Sequence, residues 1–575
     1  MMPKKSHHYL IILPIIIYIF FAFPGLKESL SDDSTLVLVA ADEIFGSRQW
    51  PNFSYVQRAS LYHPPLYLIS LSLIRVLFGT KIIFLRLFSL VCGIFSVILV
   101  YLISRQISKD KKNHFVPLIA CLIYSINPFV IKGSLHLDID STVLTVLILA
   151  FVLLFLRSTE QLNAKNMLKL SFVFGILLSA KLTTPFILAV VMLVYLLLNK
   201  QLSKGLHLAV VFISGFIIFF IFYLLYCAWL DLPWYVIFKM LGVYLTYSIG
   251  STKLASSCLK SIYDILRVVL WFSPFFLLLW VWSVVDSRHE ILRNKGLGSG
   301  SGLLIVVSAA IFFCYLIIAP LTHSFPKYLF PVVSMISILI ANIAVKLKDQ
   351  ITGNLKILIT VTGLLLIYNI LFVGDLLYLT NYGIKERIIS GNFSASVRQQ
   401  ETLKMLLKIS LLLIPSLGIV IFLRKKMKFK LIHSVVFSFL IMFIASSLSL
   451  NIIQYKAKYN VVYAYGKQGT QEVIDFLKAR LGGQDRVIAP YEIVYYLGAT
   501  ESGFAMSLAM LDTAQTFIDV LEDKDPACVV YGLASNSLKQ YKDIFSSELL
   551  CAYFQEHHFK SKKIGSYTVW IRSDQ

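Results

Sequence analysis

The sequence predicts an α-helical polytopic membrane protein, carrying a small α/β domain at its C-terminal end, and three observations predict it. First, 57% of the 575 residues are hydrophobic and only 15% charged, with a mean hydropathy of +0.76. A soluble domain is about half apolar and a quarter charged, so a chain this apolar needs lipid against its surface. Second, the apolar residues come in repeated runs close to the roughly 20 residues a helix needs to cross a hydrocarbon core. Third, the runs stop after Tyr455, and short amphipathic and β-rich segments replace them. The boundaries are 1–454 for the membrane domain and 455–575 for the α/β domain. The formal charge of +22 reads as Lys and Arg held in loops on one side of a membrane, not as a nucleic-acid surface. The seven cysteines contain no CxxC pair, which leaves no sequence signal for a zinc site or a dithiol redox centre.

The spans follow in order. They are Tyr9–Gly25, Ile82–Ser104, Phe115–Ile131, Thr142–Leu156, the shorter Leu168–Ala180, Leu182–Leu198 and Leu206–Tyr226. Tyr263–Val285, Leu303–Ala319, Tyr328–Val345, Ile357–Val373, Leu403–Leu423 and Leu431–Ile453 complete about 13 spans. Lys4 and Lys5 before an apolar run resemble a signal peptide, but no small-residue cleavage site follows, so the run reads as a retained first span. Pro64–Gly79 is left out. It is short, at roughly 24 Å of helix, and it carries Arg75. Counting it as a span would move every basic cluster (Arg105/Lys109/Lys111/Lys112, Lys200/Lys204, Arg424/Lys425/Lys426 and the others) to the outside. It therefore reads as an interfacial helix. His63 stands at its entrance, and Pro64-Pro65 suit its first turn. The expected topology places the N-terminus in the cytoplasm and the C-terminal domain outside the plasma (inner) membrane. The first outer loop, 26–81, is long enough to carry structure of its own.

The C-terminal segment reads as helix (TQEVIDFLKARLGG), strand (DRVIAP), helix (DTAQTFIDVLEDK) and strand (ACVVYGL). A closing hairpin, LLCAYFQEHHFKSKKIGSYTVWIR, is expected to turn at Lys563–Gly565. Cys528 and Cys551 share this domain and could pair in an oxidising space. His557 and His558, beside a lysine run, read as a solvated strand end.

Carboxylates at a membrane are costly unless they face water or serve a purpose. One cluster follows the first span: Asp32, Asp33, Asp42 and Glu43, expected on successive helical turns. A second, His136, Asp138 and Asp140 in GSLHLDIDSTVL, opens a later span on the same side. His136 and Asp140 would share a face if that segment is helical. Either cluster alone reads best as helix caps and solvated loop. Two on one side, together with His63, shift the balance to function: general-base chemistry, or a divalent ion such as magnesium or manganese held through Asp33, Asp138 and Asp140. No other cofactor is signalled. The outer side has few cations. Lys181 sits at a tight turn in LLSAKLTTPF, and Lys327 with Tyr328 opens another span in THSFPKYLFP. A lone Lys at a helix end is an interfacial anchor; several around one cavity would suit a phosphate. Arg58 and His323 are weaker candidates for the same task.

At this point the chain resembles the membrane-embedded GT-C glycosyltransferases of the protein mannosyltransferase type, including the lipid A aminoarabinose transferases. Asp32-Asp33, Trp50-Pro51 and His63-Pro64-Pro65-Leu66-Tyr67 match that pattern in order and spacing. Asp138 or Asp140 matches its second outer-loop aspartate. Ala180-Lys181-Leu182-Thr183 resembles its Thr-Lys turn with altered order, and Lys327-Tyr328-Leu329-Phe330-Pro331 its late basic-Tyr-x-x-Pro motif. The resemblance covers residues 1 to about 345. It departs at Leu36 and Val37, where many relatives carry an aromatic.

The resemblance implies transfer of a sugar from a polyprenyl-phosphate carrier to a lipid, glycan or protein acceptor outside the membrane. Asp32 or Asp33 would be the base. Asp138 and Asp140 would orient the acceptor or hold a metal, and Lys181, Lys327 and Tyr328 would neutralise the leaving phosphate. His63 would stand at the cavity rim. The alternatives are a transporter or flippase of lipid-linked sugars, which favours internal repeats that this sequence lacks, or an O-antigen ligase-like enzyme, which has no use for early paired acids.

Overall fold

The structure, a computed structural model, describes residues 7–27, 32–46, 59–79, 81–108, 114–135, 137–158, 162–238, 269, 272–293, 300–322, 327–347, 355–373, 395–427, 430–456, 470–482, 485–497, 503–505, 513–532, 544–565 and 567–573. The chain is a mostly helical, multi-pass membrane protein with a small C-terminal sheet. Wherever the expected spans fall on described residues they are largely helical, although the first part of Tyr263–Val285 lies outside the described residues and its helix begins at Pro274. Among the described residues, Tyr9–Leu26, Ile82–Ile107, Leu202–Trp229 and Leu431–Ile453 are each long and apolar enough to cross a membrane alone, and eight further apolar helices run 10–17 residues. Helices suit these runs because lipid offers no partner to an open backbone N–H or C=O.

The first half of the bundle is built in chain order. α1 (Ile12–Ala22) is followed by α2 (Asp32–Ile44), α3 (Leu66–Phe78) and α4 (Ile82–Ile107). α3 is the expected separate helix before the second span, starting one residue after Pro65. Then come α5 (Phe115–Ile126), α6 (Pro128–Ser134), α7 (Val143–Ser158), α8 (Ala164–Ala180), α9 (Thr183–Leu198) and α10 (Leu202–Trp229). The expected span Phe115–Ile131 is two helices, because Pro128 has no N–H to continue α5. The break is repaired locally. The Asn127 side chain accepts from Phe129 N at 3.0 Å, and Asn451 Nδ2 donates to the freed Ile126 carbonyl at 2.8 Å. α8 and α10 touch through glycines: a Cβ on Gly175 would lie 2.9 Å from the Gly215 carbonyl, and one on Gly215 2.9 Å from the Ser171 carbonyl. Small residues at a crossing let two backbones approach where hydrophobic drive is absent.

The second half comprises α11 (Pro274–Arg293), α12 (Gly300–Thr322), α13 (Phe330–Lys346), α14 (Leu355–Tyr368), α15 (Ala395–Met427) and α16 (Leu431–Lys456). α13 is enclosed along almost its whole length, with fourteen buried residues from Phe330 to Ala344.

The C-terminal domain contains α17 (Thr470–Lys478), β1 (Val487–Ala489), α18 (Tyr491–Leu497), β2 (Gly503–Ala505), α19 (Ala514–Lys524), β3 (Cys528–Gly532), α20 (Glu548–Glu556), β4 (Phe559–Ile564) and β5 (Tyr567–Arg572). The sheet order is β2-β1-β3-β5-β4. β1 is parallel to β2 and β3; β5 is antiparallel to β3 and β4. One expectation is corrected here, and one open possibility is not realised. Leu549 to Glu556 is helix, so only the second part of the proposed hairpin is strand; it turns around Gly565, whose φ is +59°. Cys528 and Cys551 are free thiols. Their geometry explains this: Cys528 faces the core shared with α17 and α18, whereas α20, which carries Cys551, covers the opposite face.

Period-two alternation sorts the sheet's side chains between two cores. Ile488 and Val529 pack with Phe517, Leu521, Leu550 and Phe554 of α19 and α20. Val487, Ala489, Cys528 and Val530 face the other way, into a cluster with Ile474, Leu477, Ile493 and Val494. That second cluster continues into Leu38, Val39 and Ala41 of α2 and Tyr67 and Leu71 of α3. The α/β domain is therefore seated on α2 and α3 through a continuous apolar core.

Candidate active site

The site is built from three turns at one end of the bundle. α8 ends when Lys181 N donates to Leu177 O at 3.1 Å, and Lys181 then turns extended at φ −156° before α9 begins at Thr183. The second turn, Leu137 to Thr142, precedes α7. It is not helical, so the condition under which His136 and Asp140 would share a helical face is not met there; His136 itself lies outside the described residues. Two short acids fold it instead. Asp138 Oδ1 accepts from Asp140 N at 2.9 Å, Asp138 O accepts from Thr142 Oγ1 at 2.6 Å, and Asp140 O accepts from Thr145 Oγ1 at 2.7 Å. Short polar side chains compete with helix geometry in this way. The third turn, Lys327–Leu329, leads into α13 and carries Tyr328.

These turns converge. Lys181 Nζ donates to both Asp140 oxygens, at 2.6 and 2.7 Å, with the Asp140 side chain 2% and the Lys181 side chain 17% exposed. The ammonium lies 3.9 Å from the centre of the Tyr328 ring and 5.8 Å from that of Tyr315. The two rings stack at 4.8 Å and 22°. The Tyr315 hydroxyl shares hydrogen bonds with Thr183 at 3.0 Å and Thr184 at 2.6 Å. Burial alone would push the Lys181 ammonium down, but Asp140 and the two phenols more than offset it, and its pKa is displaced upward from the ordinary lysine value. The result is a fixed cation on an aromatic floor, held by one buried carboxylate.

Other expected residues are placed elsewhere or only by backbone. His63 is exposed, directly before Pro64-Pro65 and α3. Its loop is pinned where Tyr226 OH of α10 donates to Leu61 O at 3.0 Å. Asp32 and Asp33 open α2, and Lys327 opens the third turn; their side chains lie outside the described residues. So do Arg58 and His323. Asp32/Asp33 and Asp42/Glu43 are not on successive turns. They occupy opposite ends of α2, about 15 Å apart at 1.5 Å per residue. Asp42 is fully buried and accepts from Arg75 Nε at 2.7 Å and Nη2 at 3.1 Å.

Tyr315 and Thr184 escape sequence reasoning. Their signals were faint: a hydroxyl near the end of an apolar run (FFCYLIIAP), and a threonine pair right after Lys181. Among the described residues, no three His, Cys, Asp or Glu side chains are grouped to hold a metal ion, and both Asp140 oxygens already accept from Lys181.

Comparison with known proteins bears on the fold and on one stretch of the sequence. The model of the family described as dolichyl-phosphate-mannose-protein mannosyltransferase matches residues 62–229. That stretch includes His63, Asp138, Asp140 and Lys181. No curated protein matches the chain in sequence. Among solved structures, ArnT from Cupriavidus metallidurans bound to undecaprenyl phosphate superposes with a TM-score of 0.59 at 13% identity, over 99% of this chain and 98% of that one. Its apo state gives 0.54 at 12% identity, over 98% and 97%. The archaeal oligosaccharyltransferase AglB from Archaeoglobus fulgidus, in complex with an inhibitory peptide and a dolichol-phosphate, gives 0.51 at 12% identity, over 99% and 74%. The chain thus has the GT-C glycosyltransferase fold of ArnT and AglB, and its residues 62–229 carry the sequence pattern of the dolichyl-phosphate-mannose-protein mannosyltransferases.

Proposed function

We propose that the protein is an integral-membrane glycosyltransferase that moves a sugar from a polyprenyl-phosphate carrier to a lipid, glycan or protein acceptor on the extracytoplasmic side of the plasma (inner) membrane. The observation that carries the reading is the Asp140–Lys181–Tyr328–Tyr315 constellation, in which Asp140 and Tyr315 are buried. The family match over residues 62–229, and the fold shared with proteins whose solved structures hold undecaprenyl phosphate or a dolichol-phosphate, support it. The positive-inside pattern supports the orientation, with the C-terminal domain outside. Nothing in the comparisons favours a transporter or an O-antigen ligase.

The reaction needs a base and a sink for charge. Asp32 or Asp33 takes the proton from an acceptor hydroxyl, whose oxygen attacks the anomeric carbon. The bond from that carbon to the carrier phosphate breaks, and the phosphate leaves with the electron pair. The donor phosphodiester carries one negative charge and the departing phosphate monoester gains another, so a cation beside it binds the transition state more tightly than the ground state. An ammonium has three N–H donors, of which Asp140 takes two. Lys181 is therefore held charged and oriented, with donor capacity left for phosphate. Tyr328 walls the ammonium. Lys327, on the same turn as Tyr328, and Arg58 would add positive charge, and His63 would meet the donor at the cavity rim. A magnesium or manganese ion, if one is used, would draw on Asp138 with Asp32 or Asp33, since Asp140 is engaged; no step here passes through it.

The test uses purified protein, a radiolabelled polyprenyl-phosphate sugar, and extracted membrane lipids and proteins as acceptors. Transfer, or slow donor hydrolysis, that is lost in Asp32→Asn or Asp33→Asn and kept in Lys426→Gln establishes the activity and names the base. Wild-type protein that binds the donor and never turns it over, with or without divalent ion, overturns the proposal.

A further inference from the structure

A second buried ion pair lies outside the site just described, and it joins three parts of the chain distant in sequence. Arg75 of α3 donates Nε and Nη2 to the two oxygens of Asp42, at the end of α2. Tyr495 of α18, in the C-terminal domain, donates its hydroxyl to Asp42 Oδ2 at 3.3 Å. The Tyr495 ring lies 5.7 Å from the guanidinium. All three are buried, at 0% exposure for Asp42, 2% for Arg75 and 3% for Tyr495.

The apolar core shared by the sheet, α17, α18, α2 and α3 already supplies adhesion between the domains. A buried ion pair is a poor addition for adhesion alone, because desolvation cancels much of the Coulomb gain. What such a pair supplies is registry, since one arrangement satisfies every donor and acceptor and a slid arrangement leaves a buried charge unmet. The helix held in this way is the one whose first turn carries Asp32 and Asp33. A 13-residue helix is a short rod, so a shift or tilt at Asp42 reaches the acid pair about 15 Å away.

We propose that Tyr495 is a positioning residue for sugar transfer. Acting through Asp42 and Arg75, it sets α2 against the interfacial helix α3 and so fixes where the Asp32–Asp33 pair stands. The α/β domain is then part of the catalytic frame. This rests on the transferase reading above.

The decisive variant is Tyr495→Phe, which removes one hydroxyl and keeps the ring on Arg75 and in the core. Arg75→Lys, which keeps the charge and loses the two-pronged geometry, is its companion. Each is expected to lower kcat about tenfold while the donor KM stays within about twofold. A role confined to stability would instead lower the melting midpoint and leave kcat per folded molecule unchanged. In parallel, nitroxides on Phe45→Cys, just past α2, and Leu77→Cys, on α3, report the α2–α3 distance in a background with the reactive native cysteines replaced. Those positions are 42% and 64% exposed. The wild-type distribution is expected to be single and narrow, and Tyr495→Phe to broaden or shift it. A kcat within twofold of wild type, or an unchanged distance distribution, overturns the proposal. Because the distance measurement needs no turnover, an inactive wild type would defeat the transferase reading and still leave the coupling itself decided. Wild-type transfer abolished by the Asp32 and Asp33 changes, with Tyr495→Phe fully active, would defeat the coupling alone.

Discussion

Replacing Lys181 by Met probes the site most directly, because it removes the ammonium and retains most of the side-chain volume. Asp140, 2% exposed, then loses the ammonium from which both its oxygens accept. Breaking one partner of a buried pair costs about 3–5 kcal/mol, so the apparent melting midpoint of detergent-purified protein should fall by several degrees. Transfer should fall by more than stability explains. Removing a preorganised donor to developing charge costs on the order of 10²–10³ in kcat. The double variant Asp140→Asn/Lys181→Met separates the two effects. With both charges gone, most of the lost stability should return, with a coupling of about 3 kcal/mol in the cycle, while turnover stays low because the phosphate still meets no cation. Thermal unfolding followed by tryptophan fluorescence, together with single-turnover transfer of radiolabelled sugar, would read both quantities. A double variant with near-wild-type turnover would refute the assignment of Lys181 to the leaving phosphate. A single variant as stable as wild type would refute the buried-pair reasoning.

The remaining expectations are narrower. Lys181 has its pKa raised above the ordinary lysine value of 10.5. A raised lysine contributes its full stabilisation below the unfolded pKa and loses it only as pH climbs through the higher folded value. Transfer rate and melting midpoint should therefore show no alkaline decline from this group between about pH 7 and 9.5, checked by a buffer series at constant ionic strength. Tyr315→Phe removes the hydroxyl bonded to Thr183 and Thr184 and keeps the ring stack, so turnover should fall about threefold to tenfold with a stability loss near 1 kcal/mol. Gly215→Leu forces a side chain against the Ser171 carbonyl, which a Cβ already meets at 2.9 Å, and should cost about 1–3 kcal/mol or more. Its readout is the folded yield on size-exclusion chromatography. Cys551 is exposed, whereas burial pushes the Cys528 thiol well up. Maleimide should modify Cys551 in native protein and reach Cys528 only after denaturation, as followed by peptide mass spectrometry.

Much of this molecule is legible in one dimension, for a reason specific to membranes. A helix in lipid satisfies its own backbone, so most of the apolar runs could be read as helices without knowing their neighbours. The interfacial helix α3 was legible through its short length and Arg75. Lys181 and Asp140 were legible as charges that lipid would not tolerate without a purpose. Their pairing was not. Forty-one residues separate them, and only the packing of α7, α8, α9 and the turn before α13 brings the ammonium between Asp140 and Tyr328. The break at Pro128 was visible as a proline, but its repair by Asn451, far along the chain, could not be anticipated.

Local composition also misled in places. Asp42 looked like a member of one acidic cluster with Asp32 and Asp33, because sequence distance cannot separate the two ends of a helix. The Asp138–Asp140 segment seemed able to continue as helix, yet its side chains bond their own turn. In the C-terminal domain, short apolar runs identified β1 and β3 and the hairpin supplied β4 and β5, but β2 and α18 went unread, and LLCAYFQE passed for strand because a short apolar run fits either period. By itself the sequence determined which apolar runs of the membrane domain are helical, which side its charges favour and which chemistry its residues could perform. The tertiary structure alone decided which charges meet, that a tyrosine from the C-terminal domain reaches Asp42, and that the α/β domain is seated on the acid-bearing helix. Pairing across a fold depends on distances between segments, and those are set by packing, which a linear pattern does not encode.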